Sequence, residues 1–151
     1  MPDEVRVAIG EDADLIVARA QGRELASRQG FSRTDATLIA TAISEVARNI
    51  VVHAGQGEIV VRAVDDGWRL GLQVVARDEG PGIRDVEALA RRGFTAGHGL
   101  GLGLPGARRL VDDFEIVSAS GAGTTVTMTK WRIPDELADL RKRRERLGPS
   151  R

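Results

Sequence analysis

Cysteine and tyrosine are both absent, and the aromatic residues amount to three phenylalanines and two tryptophans. Without cysteine there can be no disulfide and no thiolate metal centre. Phe31, Phe94, Phe114, Trp68 and Trp131 are too few to build a base-stacking platform. An excess of one charge is also missing: 22 basic residues balance 22 acidic ones. No general attraction to nucleic acid or to an anionic membrane follows, and neither is expected as a partner. No run approaches the ~20 apolar residues of a membrane span. The acidic opening MPDEVRVAIG lacks the apolar stretch of a signal peptide, so a cytoplasmic protein is expected. The 151 residues suggest one domain, long enough to bury roughly 70% of its unfolded surface.

Glycine, by contrast, is abundant, with 18 residues, and it is concentrated in AGHGLGLGLPGA, Ala96 to Ala107. Glycine loses more conformational entropy on folding than any other residue, so this concentration needs a cause. Gly101 to Gly106 fits G-x-G-x-x-G, the dinucleotide-binding fingerprint. That fingerprint requires a strand immediately before the glycines. The preceding RRGFTAGH is loop-like, and the upstream strand WRLGLQVVA leads into RDEGPGI instead. Context therefore removes the Rossmann reading. A loop that covers phosphates with backbone N–H groups, backed by the start of the next helix, remains. Read alone, the stretch would be an ordinary mobile surface loop.

Alternation and 3.6-residue periodicity predict the elements. Val5–Ile9 reads as a strand. A helix follows from about Asp12, its expected N-cap, to Gln29, with Leu15, Ala18, Leu25 and Ala26 inward and Gly30 as its stop. A second helix runs from about Arg33 to Val52. Glu58–Val64 and Trp68–Ala76 form a hairpin across Asp65–Gly67. A short helix is expected near Asp85–Arg91 and another from about Leu104 to Asp112. Phe114–Ala119 and Thr124–Trp131 form a second hairpin across SGAG. The fold class is α+β: a two-layer sandwich with helices on one face of a mixed, mostly antiparallel sheet. Residues 1–133 are expected to be a single domain, and 134–151 a charged tail, helical or disordered.

Four short patterns carry possible chemistry. On the second helix, Ile39, Ile43, Val46 and Ile50 face the core, whereas Glu45 and Asn49, four apart, share another face. A carboxamide suits Mg²⁺, and a carboxylate one turn away can orient or deprotonate a hydroxyl. Such pairs are otherwise common in solvated stripes. Asp78 ends a strand whose alternate residues point inward, with Gly80 and Gly82 close behind. A carboxylate there could accept from an adenine amino group, although Asp, Gly and Pro also make ordinary turns. The glycine-rich loop and GAGTT, Gly121 to Thr125, complete the series.

In order, E-x-x-x-N, D-x-G-x-G, G-x-G-x-G and G-x-G-T resemble the Bergerat ATP-binding fold of the GHKL superfamily, which includes gyrase B, histidine kinases and MutL. The resemblance spans about Thr34 to Trp131. It implies that Asn49 chelates Mg²⁺ and that Glu45 is the base or polariser. It implies that Asp78 binds adenine, with Gly80 and Gly82 in its loop, and that Thr124 helps hold adenine, often through water. Gly97, His98, Gly99, Leu100, Gly101, Leu102 and Gly103 would form the lid over ATP.

A histidine kinase would need a phosphoacceptor histidine on a helical hairpin, and neither His53 nor His98 is so placed. A small single GHKL domain is similar to the serine/threonine protein kinases of bacterial partner-switching pathways. TAISEVARNIVVHAG, with Arg48 before Asn49, DEGPGI, GLGLPGARRLVDDFEI and GTTVTMTKW look like the RsbT-like stressosome switch kinases. The lid is closer to the general superfamily form, and the charged tail extends beyond the family core. That resemblance implies phosphorylation of a STAS-domain partner and, on release, activation of a PPM-type phosphatase. The alternative is an anti-sigma factor kinase that sequesters a sigma factor.

Overall fold

The computed structural model describes residues 4–80, 103–119 and 121–132. Their elements are β1 (Glu4–Ile9), α1 (Asp12–Arg28), α2 (Arg33–His53), β2 (Gly57–Asp65), β3 (Leu70–Asp78), α3 (Gly103–Leu110), β4 (Asp113–Ser118) and β5 (Thr124–Trp131). The strands form one sheet in the order β1-β2-β3-β5-β4. All four neighbouring pairs are antiparallel. The expected mixed component is thus absent among the described residues. Its absence has a topological cause: α1 and α2 pack side by side as a helical hairpin. Two such helices return the chain to the end it left, so β2 runs back along β1.

The helices gather on one face. Val7 and Ile9, Ile59 and Val61, Leu72, Val74 and Ala76, and Val126 and Met128 point inward at every second position. They meet Leu15, Ala18, Leu25 and Ala26 of α1, Ile39, Ile43, Val46 and Ile50 of α2, and Leu104 and Ala107 of α3. Each fully buried Ile, Leu or Val contributes about 1.5–3 kcal/mol over an exposed one. The layered α+β expectation holds.

Local chemistry sets the ends. Ser32 Oγ accepts from the N–H of Asp35 at 3.1 Å and starts α2. Gly30 N–H bonds Ser27 O at 3.1 Å and Phe31 N–H bonds Ala26 O at 3.0 Å, the paired closure that stops α1. The N-cap of α1 is Glu11, not Asp12. The Asp14 carboxylate reaches back to the N–H groups of Gly10 and Glu11, at 2.8 and 3.0 Å, and moves the cap one residue earlier.

Trp68 does not begin a strand. Asp66 N–H bonds Arg69 O at 3.2 Å, and the Asp66 carboxylate accepts from the N–H of Arg69 at 3.1 Å and from its Nε at 2.8 Å. This local competition with the ladder leaves Trp68 79% exposed in the turn. It also delays β3 to Leu70. α3 stops at Leu110, because Asp112 N–H is taken by Thr129 O at 3.0 Å and its carboxylate by Trp131 N–H at 2.7 Å. The helix expected near Asp85–Arg91 and the tail lie outside the described residues.

Candidate active site

Register brings one residue from every strand into a single row at one end of the sheet. Ile9 pairs with Gly57, Gly57 with Asp78, Asp78 with Thr124, and Thr124 with Ser118. Asp78 sits at its centre, 8% exposed, and Thr124 beside it is 5% exposed. Asp78 Oδ1 accepts from Gly80 N–H at 2.9 Å, which turns the chain away from the strand and ties down one carboxylate oxygen. Ser118 Oγ lies 2.8 Å from Thr124 Oγ1 and donates to Gly123 O at 3.0 Å.

Two glycines let this row close. Gly123 has φ +77°, and a Cβ there would collide with the Asp78 carbonyl oxygen and come within 3.0 Å of Glu79 Cα. A Cβ on Gly57 would strike Arg77 O and lie 3.0 Å from Ile50 Cγ2 and 3.1 Å from Asp78 Cβ. Gly57→Ala is therefore expected to cost about 1–3 kcal/mol, because a backbone carbonyl cannot step aside as a flexible side chain can. Urea unfolding measures it; an unchanged midpoint would show that the strands do not approach this closely.

The C-terminal end of α2 rests on the same place. The position a Cβ would take on Gly80 is 2.6 Å from Ala54 Cβ, at the C-cap of α2. Asn49 and Glu45 lie about 7 and 13 Å back along the helix axis, at 1.5 Å per residue. Both are half-buried. Arg19 of α1 reaches Thr41 Oγ1 and Ser44 Oγ at 3.4 Å each, which assigns that flank of α2 to α1. At about 100° per residue, Asn49 lies about 140° around the helix from Ser44, whereas Glu45 lies about 40° from Thr41; both fall outside the buried stripe of Ile39, Ile43, Val46 and Ile50. α3 also packs on α2, and its first residue is Gly103. Gly82, Gly97, His98, Gly99, Leu100, Gly101 and Leu102 lie outside the described residues. An open cleft of about 630 Å³ abuts the row beside Gly10, Asp14, Gln56 and Arg77, and its lining includes Asp78 but not Thr124, Glu45 or Asn49.

Residues 4–130 match the family model described as a histidine kinase-like ATPase domain. The chain belongs to the histidine kinase-like ATPase family. Within this ATPase family it is 44% identical over 131 residues to the serine/threonine-protein kinase RsbT of Bacillus subtilis (strain 168), covering 87% of this chain and 98% of that protein. That extent makes it a serine/threonine-protein kinase. It is also 33% identical over 99 residues to an anti-sigma F factor of Thermoanaerobacter sp. (strain X514), covering 62% of this chain and 68% of that one. The crystal structure of the RsbU and RsbW domains of a Mycobacterium tuberculosis protein shares the fold, with TM-score 0.57 and 25% identity over 86% of this chain. The chain spans about a third of that one, 33%. Among the described residues no helix is long and apolar enough to cross a membrane.

Three residues of this candidate site escape a reading of the sequence. Gly57 looks like a strand flank, Ala54 like a helix end, and Ser118 like an exposed strand residue. Gly57 and Ala54 matter through neighbours on other elements, and Ser118 through Gly123 and Thr124 across its own hairpin.

Proposed function

We propose that this kinase transfers the γ-phosphoryl group of ATP, with Mg²⁺, to a hydroxyl of a STAS-domain partner, and that the released kinase activates a PPM-type phosphatase. The observation that carries the reading is the shared placement of Asp78 and Thr124 at the end of α2, with Asn49 and Glu45 set back along a flank of that helix outside its buried stripe. A nucleotide whose base meets Asp78 and Thr124 would lay its phosphates along that flank. Similarity to RsbT supports the kinase assignment.

Asn49 fits Mg²⁺ as a single carboxamide donor on a half-buried flank, since this ion usually keeps several waters and shares substrate phosphates. When bound, the ion would neutralise charge on the β- and γ-phosphates. The chain's own residues then do the positioning. Asp78 and Thr124 hold the base, and the N–H groups of the lid, Gly97 to Gly103, meet the phosphates. Glu45 orients the partner hydroxyl and accepts its proton. Oxygen attacks the γ-phosphorus, the bond to the β–γ bridging oxygen breaks, and ADP leaves. Positioning and electrostatics supply most of the catalysis in such transfers.

Partner choice follows from charge. Phosphorylation adds about −1.5 to −2 charges to a surface built for a neutral hydroxyl, and the interface weakens. Arg48, exposed on α2, and the segment Leu104–Phe114 border the site, where a docked partner would sense the lid. The protein is expected to hold an unphosphorylated STAS partner, to label it from radiolabelled ATP with Mg²⁺, to release it, and then to stimulate a PPM phosphatase. A stable complex with a sigma factor and no effect on any such phosphatase would establish the second reading. Similarity to an anti-sigma F factor favours that alternative.

A further inference from the structure

The two halves of the candidate site stand on different elements. Asp78 and Thr124 belong to the sheet, and register with the neighbouring strands fixes them there. Asn49 and Glu45 belong to α2. A bound nucleotide has its own length, so both halves serve it only while the helix keeps one offset from the end of the sheet. Two attachments hold that offset. The first runs through the chain. The N–H groups of Ala54 and Gly55 both bond Ile50 O, at 2.8 and 2.9 Å, and end the helix. Only Ala54, Gly55 and Gln56 then separate α2 from Gly57, the register partner of Asp78. The second runs through space. Ala54 Cβ and Cα lie 2.6 and 2.8 Å from the position a Cβ would take on Gly80, whose N–H holds Asp78 Oδ1. Both residues are half-buried. The methyl group of Ala54 meets bare backbone, and no flexible side chain stands between them to absorb a change.

We propose that Ala54 is a positioning residue for phosphoryl transfer: packed against the backbone of Gly80, it sets the offset between the sheet residues that hold the base and the flank of α2 that meets the phosphates. The proposal rests on the reading of Asp78 and Thr124 as base-binding residues and of Asn49 and Glu45 as facing the phosphates. Asp78 is tied to β2, to β5 and to its own turn, so a change in size at residue 54 displaces the end of the helix and leaves Asp78 in place. The base then stays bound, while the γ-phosphoryl group loses its alignment with the incoming hydroxyl. Misplacement by about 1 Å costs up to about 100-fold in rate. Ala54 offers no polar group to a nucleotide and acts through Gly80 alone.

Variants graded by size test this on the full chain, through radiolabel transfer from saturating ATP with Mg²⁺ to the STAS partner and through calorimetry with ADP in the absence of Mg²⁺. Ala54→Ser, close to alanine in size, should keep both quantities within about threefold of wild type. Ala54→Val presses on the turn and should slow transfer by about tenfold or more, while ADP affinity stays within about threefold. Ala54→Gly withdraws the contact and should show the same split. A merely structural role produces no split: transfer, ADP affinity and the urea midpoint would fall together, and that result overturns the proposal. Wild-type transfer by Ala54→Val overturns it as well. Should Ala54→Val not fold, Ala54→Gly decides by the same two measurements, and an equal change in both, or none in either, overturns it. A wild type that binds no ADP would instead refute the base-binding reading.

Discussion

Asp78→Asn weakens ADP and ATP binding by one and the same factor, about 10- to 100-fold, as expected when a charge-assisted hydrogen bond is lost. The direction follows from the Asx turn. Asp78 Oδ1 accepts from Gly80 N–H at 2.9 Å. In the variant the amide oxygen takes that bond, and the NH₂ group replaces the second carboxylate oxygen. A donor then faces the amino group of the base, where an acceptor is needed. ADP and ATP share the base, so both suffer alike. The side chain is only 8% exposed, and water cannot easily repair the mismatch. Calorimetry with ADP is the direct measurement. An unchanged affinity would remove Asp78 from the site and with it the placement of the base.

Asn49→Ala is expected to reduce phosphoryl transfer by at least about 100-fold, on the scale of removing one preorganised electrostatic contact. Stability should hardly move. Asn49 lies outside the buried stripe of α2, and alanine has a higher helix propensity than asparagine by roughly half a kcal/mol. ADP binding without Mg²⁺ should persist, because Asn49 stands about 7 Å along the helix from the turn that carries Asp78. Radiolabel transfer to the partner, beside a urea titration, separates chemistry from folding. Near wild-type transfer in the presence of Mg²⁺ would mean that the flank of α2 does not face the phosphates.

Where local patterning decides structure, these residues were readable in advance. The stripe Ile39, Ile43, Val46 and Ile50 marks the inward face of α2, and Thr124–Trp131 is β5 to the residue. Alternation along Leu72, Val74 and Ala76 correctly carries Asp78 inward at the strand end. Side-chain capture of backbone groups was harder. The reach of Asp14 back to Gly10, and of Asp66 across its own turn, each displaced an element boundary by one or two residues. Least readable was the row itself. Gly57 and Ser118 carry no local signal of a role, because their partners are set by the register across the β2–β3 and β4–β5 hairpins.

That row also bears on how the protein acquires its activity during folding. Ile9 lies near one end of the described chain and Ser118 near the other, and the row takes one residue from each of the five strands. Contacts so distant along the chain close late and slowly, since loop entropy must be lost before they form. A partly folded chain would have helices and hairpins but no place for a base. Whatever binds there favours closure of every strand pair together, so a nucleotide acts on the whole sheet as a cooperative clasp and not as a local brace.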